Sequence, residues 1–414
     1  MKRITKLILI FMLALYQHVS YAHDAHMLED PETLFISVVF DSQGVLWRAS
    51  TKDGFVWVDK STDLGKTFTK PVKVNPEQQN IANNNEARIK IATDTQGNVY
   101  LTWTQNLKTL YASYVWFARS LDGGKSFEKP YIVHQNREDL THAFNTLNIA
   151  SNGNITVLWI DGRDAAAAKL AGKPLTGLAI YYAFSTDAGK TFNAEQKLAD
   201  STCECCRIAT TSKPDGALVA MWRHVFDGNE RDHMIAEVPS KNEIANPHRA
   251  TFGHWKIDGC PHQGSALATG GEGKDWWGYH MVYFDGRDDK PGLYYSRMDG
   301  VAWASSVPKK IGDNTKQAGR PALLSIGESV WLVWREIKDG NTSIMGIYSD
   351  DGGKSWSDPK MLAETKKEAD YPILLANKNQ AYLLWNLAQE GLQVNPLRKF
   401  DIEIDKNYPT LLVC

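Results

Sequence analysis

Long apolar runs are nearly absent from this 414-residue chain. The clearest, Leu7 to Tyr16, is far shorter than the roughly 20 residues that carry a helix across a bilayer, so no membrane span is expected. It follows Lys2, Arg3 and Lys6 and precedes Ser20-Tyr21-Ala22, which puts small residues at the two recognition positions of a cleavage site. That order reads as a Sec-type signal peptide over 1–22, with a periplasmic or secreted destination. An excess of one charge is also lacking. With 46 Lys+Arg against 48 Asp+Glu, the chain offers no concentrated basic field, and nucleic acid is excluded as a general partner. Cysteine is scarce at five residues, but three of them crowd into Cys203-Glu204-Cys205-Cys206, with Cys260 and Cys414 further on. In an oxidising compartment these are disulfide candidates first and thiols second, and an odd count leaves at least one over.

What the chain has in abundance is aromatic residues and glycine: 14 Trp, 16 Tyr, 14 Phe and 31 Gly. They are periodic. Short strand-forming runs end on Trp47, Trp103, Trp159, Trp222, Tyr283, Trp334 and Trp385, at spacings of 56, 56, 63, 61, 51 and 51 residues. Most follow a turn such as Gln96-Gly97-Asn98, and each is preceded by another apolar run such as Phe35 to Phe40. Each unit therefore opens with a hairpin and has room for two more strands. Four-stranded units of 50–60 residues predict an all-β chain, a β-propeller, because one blade cannot bury both of its faces alone. Seven repeats predict seven blades over residues 33–398, followed by a tail at 399–414. Six is the alternative, because the last unit is short.

A second repeat lies inside the first. Ser61-Thr62-Asp63-Leu64-Gly65-Lys66-Thr67-Phe68 returns as 120–127, 185–192 and 349–356, with a fainter copy at 296–303. Aspartate accepts turn amides, glycine takes positive φ, and the terminal aromatic plugs the blade edge. The pattern resembles the Asp-box of the sialidase-like superfamily, and Asp63, Asp122, Asp187 and Asp351 are its structural aspartates. The resemblance implies a propeller with these boxes in the turn between the third and fourth strands. The opposite face, where connections enter each first strand and leave each second one, is then the ligand face.

Eight arginines fall near those positions: Arg48, Arg88, Arg163, Arg207, Arg223, Arg287, Arg320 and Arg335. Paired planar hydrogen bonds suit guanidinium to carboxylate or phosphate. Arg163 and Arg287 sit in Asp-Gly-Arg-Asp segments and are expected to pair internally. Arg48, Arg88, Arg223, Arg320 and Arg335 are the candidate ligand-binding set for a small anion or a glycan. Two adjacent blades also bring cysteines to this face. One reading is a Cys206–Cys260 disulfide stapling the blades. Another is a Cu(I) or Zn(II) site from Cys203, Cys205, Cys206, Cys260 and His262, with His224 as a further donor, and a third is a redox-active thiol.

Sialidases grip a carboxylate with three arginines and use a Tyr activated by a Glu, with an Asp as acid/base. The resemblance puts Tyr371 in the nucleophile's place and Glu204 in the activator's. Arg223 takes that of the second arginine, Arg335 or Arg320 that of the third, and Asp53 or Asp59 that of the acid. The Arg-Ile-Pro motif of the first arginine is replaced by Pro31-Glu32-Thr33-Leu34. The expectation is therefore an exported propeller that binds a small anionic or metal-containing ligand without a complete sialidase site. Its rivals are a retaining exo-α-sialidase-type glycosidase and a protein-interaction propeller.

Overall fold

The computed structural model describes residues 34–240 and 243–399. The signal peptide read over 1–22, and Cys414 with the tail from residue 400, lie outside them. The described residues form 27 strands, β1 to β27 in chain order, grouped into seven antiparallel sheets. The first blade is β1 (Ser37–Phe40), β2 (Leu46–Lys52), β3 (Phe55–Ser61) and β4 (Val72–Lys73), hydrogen-bonded in that order. Five further blades repeat this, and the seventh has three strands among the described residues: β25 (Ile373–Asn377), β26 (Gln380–Leu387) and β27 (Gly391–Pro396). All seven periodic aromatics fall in second strands. The alternative of six blades is thereby excluded.

The first strand of each blade is innermost. β1, β5 (Lys90–Thr93), β9 (His142–Ile149), β13 (Ala209–Ser212), β17 (Ala266–Gly270), β21 (Gly319–Ile326) and β25 lie against one another in turn, and β25 meets β1. Second strands are sandwiched between neighbouring blades, so both of their faces must be apolar. All six residues of β14 (Leu218–Arg223) are buried. The core follows the same logic. Seven apolar clusters each straddle two adjacent blades, and the one formed by Ile36, Val38, Leu46 and Leu384 joins the first blade to the last.

The Asp-boxes occupy the turns between third and fourth strands. Asp63 accepts from the Ser61 hydroxyl at 2.7 Å, the Thr67 amide at 2.9 Å and the Thr67 hydroxyl at 2.7 Å. The Thr67 hydrogen bonds, with that from Ser61, hold its carboxyl down at about 2. Asp122, Asp187 and Asp351 repeat the arrangement. Box glycines also set the distance between blades. A β-carbon on Gly124, at φ 77°, would sit 2.4 Å from the Trp47 ring of the preceding blade. Gly124→Ala is therefore expected to destabilise the fold by about 1–3 kcal/mol or more, through overpacking and backbone strain, read as a lower urea midpoint.

Candidate anion site at the hub

The chain enters β5 as Glu86-Ala87-Arg88-Ile89-Lys90. Alternation into the strand sends Ile89 into the blade packing and Arg88 and Lys90 to the cavity side, and the bend at 84–87 brings Glu86 to the arginines. Arg207 precedes β13, Arg320 lies at the start of β21, and Tyr371 precedes β25. Arg335, in β22 (Ser329–Lys338), pairs in register with Gly319. Five blades meet here, and the cavity between them is about 280 Å³, with Arg88, Lys90, Arg207 and Tyr371 in its wall.

Tyr371 is the centre of the group. The guanidinium carbons of Arg320, Arg335 and Arg88 lie 4.6, 5.4 and 5.6 Å from its ring centroid. Glu86, 4% exposed, accepts from Arg320 at 2.5 Å and from Arg207 at 3.4 Å. Arg207 is further tied to the Ser265 and Pro321 carbonyls, and Arg88 to the Ile36 carbonyl at 3.1 Å and the Asn85 side chain at 3.0 Å. The Arg320 Nε is buried and meets no hydrogen-bond acceptor among the described residues. Burial pushes the Tyr371 hydroxyl up, with the Glu86 charge adding to the rise while Arg320, Arg335 and Arg207 oppose it. Burial pulls the Lys90 ammonium down to about 7, helped by Arg88 and Arg207 and opposed by Glu86. Around Tyr371 the group brings together the cationic side chains of Arg88, Lys90, Arg207, Arg320 and Arg335 and the carboxylates of Glu86 and Asp370, five positive groups to two negative when Lys90 is protonated.

Five expected members are elsewhere. Arg48 lies inside β2, directly opposite Asp59 of β3. Its guanidinium bonds Asp59 at 2.9 and 2.6 Å and covers the Phe68 ring of the Asp-box. Arg223 is 2% exposed and donates to the carbonyls of Arg231, Gln263 and Phe284, pinning two loops to β18 (Gly278–Asp285). Glu204 is exposed, whereas the carboxylate among the arginines belongs to Glu86. With Asp59 committed to Arg48, and Asp53 in the exposed β2–β3 turn, neither candidate acid joins the cluster. Arg163 and Arg287 pair internally, with Asp161 and Glu195 and with Asp285.

The cysteines divide. Cys203, Cys205 and Cys206 are buried with converging sulfurs, while Cys260 and His262 are exposed. The Cys206–Cys260 staple is absent because the two stretches approach the hub differently. From the end of β12 (Gln196–Thr202) a tight turn reaches β13. The connection from β16 (His248–Arg249) to β17 is longer and carries residues 258–262 out to the surface. His224 also stays out of the sulfur group. It alternates with Val225, which packs on the cysteines, and stacks edge-on against Phe226 at 4.5 Å.

The BNR/Asp-box repeat family matches residues 347–358, the fourth full box. No curated protein matches the chain in sequence. Among solved structures, a PL25 ulvan lyase bound to -[GlcA(1-4)Rha3S]- superposes with a TM-score of 0.51 at 11% identity, over 87% of this chain and 92% of the lyase. A Hadza microbial sialidase gives 0.49 at 15% identity, over 85% and 76%. An α-L-arabinofuranosidase of Fusarium graminearum gives 0.47 at 16%, over 75% and 90%. Fold and repeat together make the chain a seven-bladed β-propeller that carries the BNR/Asp-box repeat.

Proposed function

We propose that the hub binds a small acidic sugar by its carboxylate, without a complete glycosidase site. The supporting observation is the excess of positive charge around Tyr371, on the wall of a cavity large enough for a monosaccharide. Guanidinium groups read carboxylates through paired hydrogen bonds, and the Tyr371 ring offers an apolar surface for a sugar face. Export, read from residues 1–22, agrees with such a ligand. Calorimetric titration with sialic and uronic acids, against their neutral counterparts, tests the reading. Binding confined to the acids supports it, and equal binding of neutral sugars overturns it.

Lys90 adds a pH signature. Its ammonium titrates near 7 in the free protein. A bound anion favours the protonated form and raises that value. Affinity is therefore expected to be flat below pH 7 and to fall above it by up to about tenfold per pH unit, until the pKa of the complex is passed. Lys90→Met should flatten the profile, as measured by titration at constant ionic strength between pH 6 and 9.

The second reading is a retaining exo-glycosidase with Tyr371 as nucleophile, and the placing of Glu86 and three arginines around that ring favours it. Against it, burial raises the Tyr371 hydroxyl, Glu86 is held by two arginines, and Asp59 is committed to Arg48. Turnover of a fluorogenic sialoside that Tyr371→Phe abolishes would establish this second reading.

A further inference from the structure

Cys203-Glu204-Cys205-Cys206 is not used by the anion site, and its geometry is specific. The turn after β12 curls three side chains inward and leaves Glu204 in solvent. The Cys203 sulfur lies 3.8 Å from that of Cys205 and 3.7 Å from that of Cys206, and all three sulfurs are within 4.8 Å of one another. Exposure is 1%, 5% and 3%. We propose that Cys203, Cys205 and Cys206 form a three-thiolate site for a monovalent copper ion.

The spacing carries the argument. A metal held about 2.3 Å from each of three thiolates spaces the sulfurs by roughly 3.8–4.0 Å, whether the set is pyramidal or planar. A disulfide needs a sulfur separation of about 2.05 Å and would leave the third buried thiol without a partner. The donor set is all sulfur, which selects thiophilic ions such as Cu(I) and Zn(II). Two features favour the monovalent ion. Zinc takes four ligands, but among the described residues no histidine or carboxylate joins the three sulfurs, and the neighbours packed on them are Val225 and Phe144. The positive charge of Arg223 acts on both Cys203 and Cys206, so it offsets bound thiolates and opposes a divalent ion more strongly than a monovalent one. Arg223 is fixed in place by three backbone carbonyls, and the Arg223 carbonyl itself accepts from the Cys203 amide at 2.8 Å. Coordination releases the thiol protons to solvent and needs no oxidant or reductant once copper arrives as Cu(I).

The test uses the whole protein as purified from the expressing cell, reduced and handled without oxygen. Cu(I) is titrated against a chromophoric Cu(I) chelator, and the loaded protein is studied by X-ray absorption. The expected result is one copper per chain with a shell of three sulfurs at about 2.3 Å and no nitrogen. Cys205→Ser should lower the affinity at least tenfold, while Cys260→Ser, in the exposed loop, leaves it unchanged. The wild-type sulfur shell is decisive even if Cys205→Ser folds poorly. The assignment is overturned by failure to compete with the chelator. Preference for zinc with a nitrogen or oxygen fourth ligand overturns it too, as does a disulfide mapped between two of the three cysteines in metal-free protein from the exporting cell.

Discussion

Arg320→Ala is expected to weaken binding of an acidic sugar by about ten- to two-hundredfold. The range corresponds to the roughly 1.5–3 kcal/mol carried by a hydrogen bond to a charged group. The upper end is favoured here because Arg320 also neutralises Glu86 at 2.5 Å. Its removal leaves that buried carboxylate facing the ligand with only the longer 3.4 Å contact to Arg207. Arg320→Lys should recover part of the loss, since it keeps the charge but not the planar fork. Arg48→Ala is the matched control. It deletes an arginine that is bonded to Asp59 inside the first blade, and the affinity should not change. Calorimetric dissociation constants at one fixed ionic strength make the comparison. Equal constants for Arg320→Ala and the wild type would remove the hub from the binding reaction.

The fold was legible because its signals are local and repeated. Trp47, Trp103, Trp159, Trp222, Tyr283, Trp334 and Trp385 each mark a strand buried on both faces, and the Asp-box marks a turn whose hydrogen bonds lie within a few residues. The hub was only partly legible. Arg88, Arg320, Arg335 and Tyr371 were placed by their positions at strand ends, and the structure brings all four together. Arg48 differs because the residue opposite it in β3 is Asp59, which takes its guanidinium, a pairing the sequence does not mark. The signal for Lys90 is present in the sequence, since it alternates with Ile89 and shares a side with Arg88, whereas Glu86 is brought in by a bend at 84–87 that the pattern does not mark. Cys260 was misplaced because adjacency of blades does not bring loops of different length together. The convergence of Cys203, Cys205 and Cys206, in contrast, needs only one tight turn.

Asp370 ties the last blade to the first, and its removal gives the largest stability effect expected. The seventh blade shares no strand with the first among the described residues. Instead Asp370, fully buried, accepts from the backbone amides of Phe35 at 2.6 Å and Ile36 at 3.2 Å, and from the Asn386 side chain at 3.2 Å. Arg88 takes the Ile36 carbonyl, so one residue of the incoming strand is held from both sides by opposite charges. Burial raises the Asp370 carboxyl, and the Arg88 charge and these donors oppose the rise. Asp370→Ala leaves two buried amides without an acceptor and Arg88 without its nearest counter-charge at the seam. A loss of about 3–5 kcal/mol is expected, the range for breaking a buried charged contact by removing one partner. Asp370→Asn keeps an acceptor for one of the two amides and should cost less. Urea unfolding measures the difference, and hydrogen exchange locates it: amides of residues 35–40 should lose protection first in Asp370→Ala. If those amides stay as protected as in the wild type, the apolar cluster of Ile36, Val38, Leu46 and Leu384 closes the ring by itself.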